Sequence, residues 1–277
     1  MIDFANFERT QRKEDDKSGY DVGLETLIKI LPGLQSESAS QEEAVGGHDD
    51  SIRFEGRMVW KRDQGGRRGE AEMNFLRAAM EEPDLLGLVP ALAGYRVKRG
   101  EQWLGMTNAL SGLSQPAILD IKMGTQTWTP DAPAEKAASQ AKKAAESSTG
   151  SLGVRVVGGK LLAANGEFTR VGYKNKQDVR NEQELQALLS SFLCSEQLRS
   201  SALAKVKAVQ AWWAKQTEYA FYASSLLFAY DTKSNDECRI VMIDFANFER
   251  ISTKADDQSG YDVGLDTLVR VISNLKS

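Results

Sequence analysis

The chain has 277 residues, enough to bury a sizeable core in one or two lobes. A hydrophobic share of 41% and a charged share of 27% are ordinary for a globular protein, and no apolar run approaches the roughly 20 residues of a membrane span. A formal net charge of −4 argues against a general nucleic-acid or membrane-surface binder, so a polyanionic ligand needs a local basic patch. The two cysteines, Cys194 and Cys238, form no spacing motif and no signal-peptide pattern opens the chain. The expected compartment is therefore reducing, cytoplasmic and/or nuclear.

In chain order the first signal is a repeat. Residues 1–9 recur without change at 242–250, and residues 18–24 equal 259–265. The copy appears only at the two ends, so it is not a solenoid; a duplicated interaction arm is one reading of it. Residues 35–50, rich in Ser, Glu, Ala and Gly, read as a linker. Residues 57–61 form a short strand pattern ending in Lys61. Glu72 then opens a helical pattern carrying Met73, Phe75, Leu76, Ala79 and Met80.

Residues 116–123 suit a buried strand that Gly124 ends. Period-two alternation puts Asp120 and Lys122 on one face, side by side. A carboxylate and an ammonium on a rigid strand suit phosphate chemistry; the plainer alternative is a half-exposed structural ion pair. Residues 134–146 are alanine-rich and helical, with Lys136, Gln140 and Lys143 on one face at spacings of four and three. Residues 147–153 read as a polar break, and Asn165-Gly166 as a hairpin turn. Two helices follow at 183–193 and 198–219, the second holding Trp212 and Trp213 as packing residues.

The pattern PxxxDxKxG at 116–124 resembles the signature of the inositol polyphosphate kinases. Other segments that resemble this family are 45–48, 135–143, 153–158, 221–231 and 242–246, all in family order; the chain looks most like its inositol hexakisphosphate kinase branch. The resemblance implies an α+β fold of two lobes, protein-kinase-like or ATP-grasp-like, with ATP between them. It implies an N-lobe at 51–106 made of a small sheet plus helix, and a larger C-lobe at 107–277. It also implies that residues 1–34 are the tail of a preceding kinase repeat, since their copy belongs at the C-terminus of such a domain. Neighbouring repeats would then be partners in a longer product, and Asp3, the duplicate of Asp244, is expected to be inert.

The roles implied are these. Lys61, paired with Glu72, holds the ATP phosphates, and Thr107 and Ala109 belong to the hinge that reads adenine through backbone groups. Lys122 meets the transferring phosphoryl group beside Asp120. Asp244 binds Mg²⁺, with Ser225 as a second contributor. Lys136, Lys143 and Lys176 join Lys122 in holding the inositol phosphate, and Lys174 adds charge. ATP and Mg²⁺ are the expected cofactors, with neither nucleic acid nor membrane insertion. Three positions depart from the family pattern: Thr107 stands where a glutamate is usual, Asn247 replaces a histidine, and Ala71 an arginine for which Arg67 or Arg68 could substitute. Two further readings follow: a multikinase acting on a ring hydroxyl, for which Asp120 would accept the proton, and a non-catalytic repeat that binds inositol phosphates.

Overall fold

The computed structural model describes residues 51–163, 165–234 and 236–275. The tail at 1–34 with Asp3, the linker at 35–50 and the motif at 45–48 lie outside the described residues.

The chain first builds a hairpin from β1 (Ile52–Glu55) and β2 (Met58–Arg62), turning at Gly56. Helix α1 (Gly66–Met80) follows, then a second hairpin of β3 (Leu92–Lys98) and β4 (Glu101–Thr107). These strands form an antiparallel sheet in the order β1-β2-β4-β3. Helix α1 begins at Gly66, well before Glu72, where the sequence pattern started it. Gly65 and Gly66 both take positive φ, a conformation open to glycine, and Asp63 Oδ1 accepts from the Gly65 N–H at 2.8 Å. Residues 66–68 are therefore the first helical turn, and Glu72 sits mid-helix beside the buried Phe75 and Leu76.

The larger sheet is centred on β5 (Pro116–Met123), flanked by β6 (Val154–Leu162) and β7 (Phe168–Val171) on one side and by β9 (Ser225–Asp231) and β10 (Arg239–Ile243) on the other. Its order is β10-β9-β5-β6-β7, and a two-stranded ribbon pairs β8 (Tyr219–Phe221) with β11 (Phe248–Arg250). The β6–β7 hairpin turns at Gly166, with Asn165 Oδ1 accepting from the Glu167 N–H, as its Asn-Gly pair suggests. Along β5, alternation does what the pattern requires. Ala117, Leu119, Ile121 and Met123 enter the main core, whereas Ile118 joins a separate small cluster on the other face, the one that carries Asp120 and Lys122.

The helical layer consists of α2 (Ala134–Ala145), the short α3 (Ser148–Leu152), α4 (Glu182–Phe192), α5 (Glu196–Lys215) and α6 (Tyr261–Ser273). Asn181 and Ser195 cap α4 and α5 by accepting from the N–H groups of Glu184 and Leu198. Helix α5 stops at Lys215, short of the expected 219. The Gln216 side chain accepts from the N–H groups of Glu218 and Tyr219, and Tyr219 is drawn into β8 opposite Arg250. Trp212 and Trp213 are packing residues: both are buried, against Phe221 and, for Trp213, Tyr261.

The expected polar break at 147–153 is instead a buried turn of helix. Ser147, Ser148 and Thr149 are enclosed, and Ser147 Oγ donates to the Lys143 carbonyl at 2.8 Å. Gly153, at φ 64°, lies so close to α6 that a Cβ there would meet the Gly264 nitrogen at 2.6 Å. The Ser147 hydroxyl, satisfied by a backbone carbonyl, lets this part of a polar stretch be buried, a distinction that composition does not carry.

Candidate active site

Two adjoining hollows are lined from both sheets and share Lys61, Asp120 and Asp244. The narrower is an apolar slot between Val59, Met106, Ile118 and Leu227, closed by the hinge residues Thr107 to Leu110. The larger, about 640 Å³, is polar, and Lys122, Tyr173, Lys174, Ser225 and Asn247 line it.

At their junction Lys61 Nζ lies 2.7 Å from Glu72 Oε1 and 2.6 Å from Asp244 Oδ1. Strand β2 supplies the ammonium, α1 the first carboxylate, and the turn after β10 the second. Burial works against the Lys61 charge, but the Asp244 and Glu72 carboxylates outweigh it and raise its pKa above that of an ordinary lysine. Glu72 is pushed upward, first by burial and then by the Asp244 charge, with Lys61 pulling the other way. Asp244 is held below the usual carboxylate range: burial opposes ionisation, and Lys61, with Lys122 and Lys174, overcomes it. Although it lies deep among protein atoms, its side chain is 49% open, because it faces the hollow. Asp244 also holds φ 65°, a left-handed conformation that a non-glycine residue adopts at a cost and that often marks functional sites.

Asp120 and Lys122 share the cavity without pairing; among the described residues Lys122 has no ion pair. Among the described residues neither Asp120 Oδ1 nor Ser225 Oγ on the neighbouring strand, both buried, has a hydrogen bond of good geometry, although the Ser225 hydroxyl lies close enough to Asp120 to favour its carboxylate. Burial and the Asp244 charge push the Asp120 pKa up to about 6, against the Ser225 hydroxyl and the ammonium groups of Lys122 and Lys174. Two orphaned buried oxygens and a half-open carboxylate around one cavity form a hard oxygen donor set. Among the described residues no three His, Cys, Asp or Glu side chains gather, so a hard cation here would need oxygen ligands from outside the protein.

At the hinge the Thr107 hydroxyl accepts from the Ala91 N–H at 3.0 Å, so this side chain serves the fold. Thr107 N donates to the Ala91 carbonyl, and Asn108 Oδ1 accepts from the Leu110 N–H. Ala109 lines the slot, and its carbonyl accepts from Arg239. The remaining expected residues lie elsewhere. Lys136 and Lys143 are exposed on α2, with Gln140 half-buried against Thr127, and neither lysine lines the cavity. Lys176 is exposed at φ 60° and also lies outside the lining, whereas Lys174 is part of it. Two positions with the same side chain, two residues apart in a turn, offer no sequence signal to choose between them. Arg67, a candidate substitute for the arginine absent at Ala71, is already ion-paired to Asp131 and Glu249.

The chain is 35% identical over 152 residues to inositol hexakisphosphate kinase 1 of Rattus norvegicus, covering 50% of this chain and 32% of that protein. It is 27% identical over 209 residues to inositol hexakisphosphate kinase 3 of Mus musculus, covering 66% and 53%. The chain thus spans from about a third to about half of the length of these curated relatives. Its fold is similar to that of an inositol phosphate multikinase from S. cerevisiae solved in complex with ADP and Mn2+, with a TM-score of 0.65 and 21% identity, over 79% of this chain and 98% of that one. Residues 103–273, most of the chain, match the inositol polyphosphate kinase family model. The chain belongs to the inositol polyphosphate kinase family.

Proposed function

We propose that this chain is an ATP-dependent kinase that transfers the γ-phosphoryl group to an inositol polyphosphate, with inositol hexakisphosphate as the acceptor and a diphosphoinositol pentakisphosphate as the product. One observation carries the reading of the site: a Lys61–Glu72–Asp244 cluster opens onto a cavity where, among the described residues, Lys122 has no ion pair. The similarity to inositol hexakisphosphate kinases supports the choice of acceptor.

In this reading the apolar slot takes the adenine against the hinge backbone at Thr107 and Ala109. Lys61, held by Glu72, is aimed at the nucleotide's phosphates, and Lys122 meets the phosphoryl group as it moves. Asp244, Asp120 and Ser225 are the oxygens that would hold Mg²⁺, which when bound spreads the phosphate charge. Lys61 Nζ lies 2.6 Å from Asp244 Oδ1, so the carboxylate that would hold the ion also holds the ammonium close to the place proposed for the phosphates. An acceptor phosphate is already anionic and needs no strong base. Lys136, Lys143 and Lys176 would then add long-range attraction rather than direct contact.

A second reading, transfer to a ring hydroxyl of a less phosphorylated inositol, is favoured by the unpartnered Asp120 Oδ1. A carboxyl with a pKa near 6 is largely ionised at neutral pH and suited to accept that proton. Incubation with labelled ATP and a panel of inositol phosphates, resolved by chromatography, tests both. Label on inositol hexakisphosphate is the expected result. Label only on acceptors with free hydroxyls selects the second reading, and binding without transfer would make the chain a non-catalytic inositol-phosphate module.

A further inference from the structure

The repeat at the two ends of the chain plays no part in the proposed chemistry. Its second copy, residues 242–275, is built into the fold: β10 ends in it, β11 lies within it and α6 closes it. Helix α6 packs on α5, α4, α3 and β5, and its inner face holds Tyr261, Leu265, Leu268, Val271 and Ile272, all buried. Tyr261 lies against Trp213, with 4.4 Å between ring centroids. A Cβ on Gly264 would meet the Gly153 carbonyl oxygen at 2.3 Å, so this groove admits a helix with glycine at that point. Gly260, which opens the helix, holds φ 63°.

Residues 1–34, which lie outside the described residues, align with 242–275 without gaps. The differences between the copies are not spread evenly. Ser252, Ala255, Gln258, Asp266, Arg270 and Ser273 all differ from their counterparts, and all are exposed. At the positions of Gly260, Tyr261, Gly264, Leu265 and Leu268 the first copy has Gly19, Tyr20, Gly23, Leu24 and Leu27. The two buried positions that differ exchange one aliphatic side chain for another, Ile30 for Val271 and Leu31 for Ile272. The first copy thus keeps what the groove requires and varies where the groove makes no demand. One change handicaps it: Pro32 stands at the position of Ser273, the last residue of α6, and lacks the N–H that a helix end uses. The second copy is therefore the better fit in the native chain.

We propose that residues 18–31 are a spare α6, able to seat as a helix in the groove on α5 and β5 when residues 259–272 of the same chain leave it. The same-chain source follows from the tether. Residues 32–50 reach about 60 Å when extended, more than the roughly 45 Å width of a compact unit of this size. Such a tether holds the segment at an effective concentration on the order of millimolar, far above that of any neighbouring molecule. While α6 is in place the groove is full and the spare segment has no work there. It takes over when α6 is weakened, and the proposal does not depend on the kinase reading.

The test uses the full chain and measures melting temperature, hydrogen exchange and, by light scattering, mass. The variants are Gly23→Val, Gly264→Val and the two combined. Valine at 264 collides with the Gly153 backbone and should expel α6. With residues 18–31 intact, Gly264→Val should stay folded and monomeric and melt within a few degrees of the wild type. Its hydrogen exchange should show 18–31 protected and 261–272 open. Adding Gly23→Val blocks the spare helix as well, and should lower the melting temperature by about a further 10 °C or more. Gly23→Val alone should melt like the wild type. Equal melting of Gly264→Val with and without Gly23→Val overturns the proposal, whether both variants are folded or both are not. A loss in Gly23→Val alone overturns it too, because residues 18–31 would then serve the native state rather than stand in for α6. A dimer of Gly264→Val would assign the segment to a neighbouring copy and overturn the same-chain source.

Discussion

The two halves of the cleft solve opposite problems. Beside the apolar slot, where the proposed function puts the nucleotide, the ammonium is already satisfied: Lys61 lies between Glu72 and Asp244, in a setting closed by Val59 and Met106. In the larger hollow Lys122 and Lys174 line the wall and, among the described residues, have no ion pair. A buried charge without a partner is costly, so the enclosed lysine must be paired before any ligand arrives. Lysines facing an open cavity are hydrated and can wait for a ligand's phosphates. Similar lysines therefore contribute differently: Lys61 is tied into the fold, whereas Lys122 and Lys174 line the cavity with their charges left available to a ligand.

The largest test of this contrast is Lys122→Ala. It should lower turnover with inositol hexakisphosphate by at least about a hundredfold, the scale of losing an electrostatic contact made in the transition state. Its melting temperature should match the wild type. A stability loss alongside would mean that Lys122 is committed to the fold after all.

Lys61→Met should do what Lys122→Ala does not. It strands the Glu72 carboxylate, whose side chain is 7% exposed, and should destabilise the protein by about 3 kcal/mol in denaturant titration. Because Glu72 can protonate, the loss should be smaller at acidic pH. Unchanged stability at neutral pH would break the comparison.

Asp120 lies where the two halves meet and gives a pH-dependent test. Its pKa rises on folding from an ordinary 3.8 to about 6, so the native state holds this proton more tightly than the unfolded chain. Asp120 therefore lowers stability as pH rises from about 4 to 6, and the full penalty persists above that range. Asp120→Asn should gain about 1–3 kcal/mol at pH 7.5 and much less at pH 4.5, while losing turnover. Thermal melts at the two pH values check the sign.

The smallest effects belong to groups outside the cavity. Lys136→Glu with Lys143→Glu should raise the Michaelis constant for the inositol phosphate by about tenfold or less, fading with salt, and leave that for ATP unchanged. Deleting residues 1–34 should alter neither constant, since every side chain that lines the two hollows lies at 51–247. A collapse of activity on deletion would make that segment an integral element.

Much of this was legible beforehand because it is local. The alternation of β5, the Asn165-Gly166 turn and the amphipathic α4 follow from spacing of two or 3.6 and from turn chemistry. Motif order likewise placed Lys61, Glu72, Asp120, Lys122 and Asp244 in one site, and they do meet in one cleft. The element ends and the buried polar turn were not legible. Helix α1 starts early because two glycines accept positive φ, and α5 stops early because Tyr219 finds a strand partner. Residues 147–149 and 152–153 are buried in a segment whose Gly153 meets Gly264, more than a hundred positions away.

The sequence by itself therefore determined which residue types the site would hold and which strands and helices would carry them. Only the tertiary structure decided which cations are free. Pairing is a property of distance between elements remote in the chain: Lys61 with Asp244, or Arg67 with Glu249. Of two lysines in one turn, the backbone conformation at Lys176 and the contact of Gly172 with Gly158 leave Lys174 facing the cavity. Residue type sets what a side chain can do, and its surroundings decide whether that capacity is already used by the fold or left for a ligand.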